Sequence, residues 1–201
     1  ALNRATLEGA VKRVFGDWTG AATATARPVE APSTKPGKLF FIDYPGSAQS
    51  AIAVARRIPG LGAKDSFPAM LFNRVLGGAF TSRINMNLRE DKGYTYGARS
   101  YMVRWRSAGL FAIMSKVKRD TTKASLIEIR KELAAISGSK PITAKEFGRA
   151  QRGLVLGFPS RFQSIASVAS QVAGVVVRRR PTSWFADWLV RVKRTTRPQA
   201  E

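Results

Sequence analysis

Asn73-Arg74-Val75-Leu76-Gly77-Gly78-Ala79-Phe80-Thr81-Ser82-Arg83-Ile84-Asn85-Met86-Asn87-Leu88-Arg89-Glu90-Asp91-Lys92-Gly93-Tyr94-Thr95-Tyr96 is the stretch from which the fold can be read. It begins inside a helix that Asp65 or Ser66 is placed to cap, with Pro68 in its first turn. That helix turns Met70, Leu71, Val75 and Leu76 to one side. Gly77-Gly78 stops it. Two residues without a Cβ let the next helix leave at a sharp angle and let backbones approach closely. Ser82 is placed to cap that second helix, whose apolar side is Ile84 and Leu88 and which ends at Gly93. From Tyr94 the spacing changes from helical to period two, so Tyr94 and Tyr96 are expected on one face of a strand over 94–105.

Downstream, a second strand is expected over Gly109–Val117 and a helix over Thr121–Ile136, with Leu126, Ile129 and Leu133 on one face. Thr143 and Glu146 form a capping box for a helix that ends before Pro159. Ser160 is placed to cap an Ala- and Val-rich helix that reaches Val177. The last helix, Ser183–Lys193, turns Trp184, Phe185, Trp188, Leu189 and Val192 inward. Upstream, Leu39–Ile42 reads as a strand closed by the Asp43-Tyr44-Pro45-Gly46 turn. Gln49–Arg56 reads as another, with Ile52 and Val54 facing one way. The order ββααββααα predicts an α+β fold, a helical layer packed on a mainly antiparallel β-sheet.

Before that domain, Leu7, Val11, Val14 and Phe15 form an apolar stripe on a helix over Thr6–Phe15, ended by Gly16. Residues 20–37 are small and proline-punctuated (Pro28, Pro32, Pro36), the composition of a linker. The expected division is 1–19 as the tail helix of a preceding domain, 20–37 as linker and 38–201 as the main domain. The start, Ala1-Leu2-Asn3-Arg4, lacks an initiator Met and a signal-like apolar stretch. The chain is therefore expected to begin inside a larger parent or after processing.

Composition removes whole classes of chemistry. The 201 residues are 44% hydrophobic, enough for an ordinary core. There is no Cys and no His. Disulfides, thiolate metal sites, a Cys nucleophile, a Ser-His-Asp triad and a His-bearing zinc site are excluded. The formal charge is 34 − 13 = +21. That suits an acidic partner, whether nucleic acid, an anionic membrane surface or an acidic protein, or simply a self-repelling surface. The densest basic run is Arg178-Arg179-Arg180, followed by Arg191, Lys193, Arg194 and Arg197. The longest apolar run, Val172–Val177, falls far short of the ~20 residues of a membrane span.

Two side chains stand out as candidate chemistry. Arg89 at a helix end and Tyr96 just past Gly93 can converge, and a guanidinium with a phenol can polarise a carbonyl or hold an oxyanion. The alternative is structural: Arg89 pairs with Glu90 or Asp91, and Tyr96 is a half-buried strand residue. Glu128 and Glu132, one helical turn apart and flanked by Lys123, Arg130 and Lys131, read as a solvated face. No Gly-Lys-Ser/Thr follows Gly77-Gly78, so it is not a phosphate loop.

The run Leu76–Arg83, followed by Leu88-Arg89-Glu90 and Gly93-Tyr94-Thr95-Tyr96, resembles the C-terminal half of the pitrilysin-type zinc peptidases. This is the inverted-zincin group that includes insulin-degrading enzyme and mitochondrial processing peptidase. The resemblance extends through most of 38–196, and the helix ending Phe15-Gly16-Asp17-Trp18 is similar to the last helix of that family's N-terminal half. It implies two related α+β halves that close around a peptide. One half bears zinc; the other contributes an Arg and a Tyr seven residues apart, which fall here on Arg89 and Tyr96. It implies no cofactor in this chain, with zinc only in a partner domain. The implied partners are a zinc-bearing N-terminal half or paired subunit, a peptide or protein substrate, and a second copy as a homodimer. Without His the chain cannot supply the metal motif, so the isolated chain is expected neither to bind zinc nor to hydrolyse peptides. Relatives commonly have a Gly-Leu-Pro turn where this chain has Arg178-Arg179-Arg180-Pro181, which predicts a locally basic surface on an intact fold. A catalytically inert peptide-binding or assembly subunit is the alternative; a nucleic-acid binder, supported by charge alone, ranks last.

Overall fold

The computed structural model describes residues 3–20 and 44–201. The expected strand Leu39–Ile42 and nearly all of the 20–37 linker lie outside the described residues. The chain divides into two units, Ala1–Lys38 and Leu39–Glu201.

In the first unit, α1 (Arg4–Phe15) begins earlier than its apolar spacing indicates. Asn3 is the reason: its side chain accepts the Thr6 amide at 2.8 Å, an N-cap that frees Arg4 to enter the helix. Arg4 then pairs with Glu8 one turn on. The stripe Leu7, Val11, Val14 and Phe15 is present but lies exposed.

The second unit is α+β. Among the described residues, β1 (Gln49–Pro59), β2 (Thr95–Arg104) and β3 (Ala108–Lys118) form an antiparallel sheet in the order β1-β3-β2. β1 runs unbroken from Gln49 opposite Lys118 to Pro59 opposite Ala108. It continues beyond the expected end at Arg56 because Arg57 and Ile58 still have partners, Leu110 and Gly109. Ile52 is buried and Val54 half-buried on one face, as alternation requires.

The helices are α2 (Ser66–Leu76), α3 (Arg83–Asn85), α4 (Thr122–Ile136), α5 (Ala144–Leu156), α6 (Ile165–Val177), α7 (Trp184–Arg194) and α8 (Arg197–Ala200). They bury one main core against the sheet. Ile52, Ala98, Ile113 and Val117 of the strands meet Leu71, Val75 and Leu76 of α2 and Ile129 and Ile136 of α4. Each fully buried Leu or Ile contributes about 1.5–3 kcal/mol. A second cluster of Phe158, Trp188 and Val192, backed by Phe67, Trp184, Phe185 and Leu189, seats α7 against the start of α2. This is the inward face expected for the last helix.

Several local expectations change. Asp65 is the N-cap residue of α2, but its side chain caps nothing; the carboxylate instead lies 3.4 Å from Arg104. In α4, Ser125 is buried and Leu126 exposed, because the face that meets the sheet runs through 125, 129 and 136. α6 is capped by Ser164, not Ser160. The Pro159–Phe162 stretch forms a 3-10 turn, and Ser160 Oγ donates back to the Gly157 carbonyl. The capping box of Thr143 and Glu146 opens α5 as expected.

Candidate functional site

The site is built from the turn between α2 and β2. α2 stops at Gly77, whose carbonyl accepts the Ser100 amide of β2 at 2.9 Å. A Cβ on Gly77 would lie 2.5 Å from Ser100 Oγ, so this contact between helix end and strand requires glycine. Ser100 Oγ also donates to Asn73 Oδ1 at 2.7 Å.

α3 follows and is pinned from outside by Arg83. Its guanidinium makes a two-pronged pair with Glu146, at 2.7 and 2.8 Å, and donates to the carbonyls of Lys140 and Pro141. Glu146 serves at once as the partner of Arg83 and as the reciprocal half of the α5 capping box. The Arg83 hydrogen bonds, reinforced by those from Thr143, hold the Glu146 carboxyl at a pKa of about 2 against the cost of burial, and the same pairing raises that of Arg83.

Beyond Asn85 the helix does not continue as an α-helix. Met86–Asp91 is a π-helical turn, wider by one residue. Two asparagines shape it. Asn85, buried, donates to the Phe80 carbonyl at 2.6 Å and accepts the Ala98 amide at 3.0 Å. Asn87 donates to both Glu128 and Glu132 of α4, at 3.1 and 2.7 Å. The Glu128/Glu132 pair is therefore not a merely solvated face: it anchors the π-turn to α4. Lys131 and Asn87 together hold the Glu128 carboxyl below its ordinary range.

Arg89 lies in this π-turn, its guanidinium carbon 4.6 Å from the centre of the Phe80 ring. It also pairs with Glu90 at 3.3 Å, the local contact that the structural alternative foresaw. The chain then reverses through Lys92 and Gly93, whose φ of 62° is left-handed. The Gly93 amide bonds back to the Arg89 carbonyl at 3.1 Å.

The start of β2 corrects the expectation that Tyr94 and Tyr96 share a face. Thr95 pairs with Val117 but Ala98 with Ser115, so β2 carries one extra residue there. Tyr94 packs against the core, whereas Tyr96 is 90% exposed. Nor is Tyr96 half-buried, as the structural alternative required. The bulge is held by hydroxyls: Thr95 Oγ1 donates to the Lys116 carbonyl and accepts the Gly97 amide, and Ser115 Oγ donates to the Gly97 carbonyl. Arg89 and Tyr96 thus sit on either side of one braced reversal, both reaching solvent. Asn85, Asn87, Thr95 and Ser115, which brace it, escaped sequence reasoning. The signal was there in two asparagines within a short helix, a residue type that disfavours helix interiors unless its amide is engaged.

Chemically the pair offers hydrogen-bond donors and one positive charge. The donor set does not fit zinc. The chain has no His or Cys, and among the described residues no three carboxylates gather at ligand spacing. Among the described residues no helix is long and apolar enough to cross a membrane.

The family model described as "Peptidase M16 inactive domain" matches residues 2–154. The chain belongs to the peptidase M16 inactive-domain family. This bears out the resemblance to the C-terminal half of pitrilysin-type peptidases read from the 76–96 segment. Solved structures agree in fold. The peptidase M16 inactive domain from Pseudomonas fluorescens is 24% identical at a TM-score of 0.68, over 77% of this chain and 36% of that one. A protease from Helicobacter pylori is 17% identical at a TM-score of 0.80, over 99% of this chain and 48% of that one. The periplasmic protease PqqL from Escherichia coli is 11% identical at 0.68, over all of this chain and 22% of that one. The M16 chain described here thus spans less than half the length of these three. No curated protein matches it.

Proposed function

We propose that this M16 chain is the C-terminal, zinc-less half of a metallopeptidase, working with a zinc-bearing N-terminal half or paired subunit. Arg89 and Tyr96 line the wall of the substrate cavity and hold the carbonyl of a bound peptide. The observation that carries this reading is Tyr96. A phenol left 90% exposed on a bulge braced by hydrogen bonds is a donor held ready, whereas a packing residue would be turned inward. Tyr96 donates its O–H to the carbonyl oxygen, and Arg89, steadied on the Phe80 ring, adds a cation. Both contacts strengthen as negative charge develops on that oxygen. Activation of water belongs to the zinc-bearing partner.

The domain division follows from the same reading. Residues 1–19 are the tail helix of a preceding domain, 20–37 the linker and 38–201 the M16 domain. The apolar stripe Leu7, Val11, Val14 and Phe15 on α1 supports this, since an amphipathic helix forms in order to bury such a face.

A second reading, an inert peptide-binding or assembly subunit, is favoured by one contact: Arg89 already has Glu90 at 3.3 Å. Mixing this chain with the zinc-bearing half and following cleavage of a quenched fluorescent peptide separates the two. Cleavage that needs both components and falls with Tyr96→Phe supports the catalytic reading. Cleavage indifferent to Tyr96 supports the second.

A further inference from the structure

The end of β2 remote from Tyr96 borders a second concentration of chemistry. A cavity of about 750 Å³ opens between the start of α2, the last residues of β2 and the basic turn leading into α7. Its cations are Lys64, Arg104, Arg178, Arg180 and Arg191, and no carboxylate among the described residues lines it. Its apolar wall is Phe67, Met70, Met102, Trp184 and Trp188. The volume is that of an ordinary ligand site.

Arg104 is committed to the fold, donating to the Pro59 carbonyl at 2.9 Å and pairing with Asp65. Among the described residues, the other four cations have no carboxylate partner. Two of them are held by aromatic faces. Arg180 lies 3.7 Å from the centre of Trp184, and Arg191 lies 5.8 Å from that of Phe67. Stacking fixes the plane of a guanidinium and leaves its N–H edge free to fork onto a carboxylate. Burial and the neighbouring charge of Arg178 both push the Arg180 pKa down, so an anion bound here relieves a repulsion the fold already carries. A further depression of about 500 Å³ shares the wall of Lys64, Phe67 and Arg191 and adds Arg194, with Asp187 its one carboxylate among the described residues. Two depressions joined along a common wall suit an extended chain better than a compact molecule.

We propose that this basic, aromatic groove docks an acidic peptide segment with an apolar side chain at its centre. The carboxylates lie on Arg178, Arg180 and Arg191, and the apolar side chain rests between Phe67, Met70 and Trp184. The groove is separate from the Arg89–Tyr96 site. Arg104 lies eight residues beyond Tyr96 along β2, about 26 Å at the rise of a β-strand. The proposal does not depend on any role of Tyr96 in cleavage.

The test is calorimetry of the full chain with a blocked hexapeptide, a Leu-Phe centre flanked by two Glu on each side, together with quenching of tryptophan fluorescence. Saturable binding is expected that weakens at least tenfold in Arg180→Glu and in Arg191→Glu. It also weakens when the Leu-Phe centre becomes Ser-Ser, and when salt is raised. Circular dichroism and Tm of each variant establish that it is folded. Arg178→Glu, which stacks on no ring, gives the same loss of binding should Arg180→Glu fail to fold. Affinity unchanged by the reversals overturns the proposal. So does equal binding of the Ser-Ser peptide, which would leave only general surface charge. Tighter, groove-dependent binding of a hexanucleotide or of phosphatidylglycerol vesicles overturns it too, by giving the groove to another class of partner.

Discussion

The side-chain amide of Asn85 accepts the Ala98 amide at 3.0 Å, and so couples the residue before the π-turn to the residue that closes the β2 bulge. Its other end donates to the Phe80 carbonyl at 2.6 Å, behind the ring on which Arg89 rests. One buried side chain thus sets the positions of both flanks of the candidate site. Asn85→Ala strands the buried Ala98 N–H, at roughly 1–3 kcal/mol, and leaves the part-buried Phe80 carbonyl to water. The expected loss in urea unfolding is about 2 kcal/mol or more, with faster hydrogen exchange at the Ala98 amide. A loss under about 0.5 kcal/mol would show that water replaces both bonds.

The Arg83–Glu146 pair makes stability depend on acid pH. The Glu146 carboxyl falls from an ordinary 4.5 to about 2 in the folded chain. A depressed folded pKa stabilises above the unfolded value and is lost as pH falls. Stability is therefore expected to decline from near pH 4.5 toward pH 2, by about 1–3 kcal/mol for this partly solvated group. Glu146→Gln should flatten that segment of the profile and lower stability at pH 7. A variant whose acid profile matches the parent's would assign the transition to other carboxylates.

Where periodicity and glycine placement decide the outcome, the sequence was sufficient. It placed α2, its stop at Gly77, α5 with its capping box, the inward face of α7 and the two long antiparallel strands. These are local signals, and the structure obeys them. It did not reveal the π-turn, the bulge or α8. A π-turn differs from an α-helix by one residue, and here it is stabilised by Asn87 reaching α4, some forty residues away. The bulge depends on Ser115 across the sheet. Such partners are tertiary, so no window along the chain contains both ends. Arg89 and Tyr96 stand out as a candidate pair from the helix end and the Gly93 turn, but the same residues fit a local ion pair and a strand residue, and only the resemblance favours the catalytic reading.

Gly77→Ala should be far more damaging than its chemistry suggests. The added methyl would lie 2.5 Å from Ser100 Oγ and 2.8 Å from the Ser100 amide nitrogen, which is itself bonded to Gly77. Backbone must move, at about 1–3 kcal/mol. Gly97→Ala is the control, since its Cβ would meet nothing nearer than Asn85 Oδ1 at 3.8 Å. Chemical denaturation should rank Gly77→Ala well below Gly97→Ala; equal stabilities would refute the close approach.

Arg179 sits at φ 50°, the left-handed region that favours glycine. Arg179→Gly relieves that strain and is expected to raise stability by about 0.5–1 kcal/mol, less the greater freedom of glycine in the unfolded chain. Arg179→Val, β-branched at positive φ, should lower it. Thermal melts that place Val above Gly would mean that this turn has another conformation.

Tyr96→Phe tests the proposed site with one oxygen atom. The ring is 90% exposed, so its removal from any packing is not at issue, and the melting temperature should stay within about 1 °C of the parent. In the enzyme reconstituted with a zinc-bearing half, the lost donor matters only where the peptide carbonyl becomes an oxyanion. One such donor is typically worth about 100- to 1000-fold in kcat, with KM little changed. Arg89→Ala should behave differently. It removes a cation that attracts the carbonyl before charge has developed, so KM should rise as kcat falls, and it frees Phe80 and Glu90 from their contacts. Arg89→Lys keeps the charge but loses the planar stack on Phe80, and should fall between Ala and the parent. A Tyr96→Phe enzyme with full kcat, beside an Arg89→Ala chain whose only defect is a lower melting temperature, would assign the pair to folding and make this M16 domain a binding subunit.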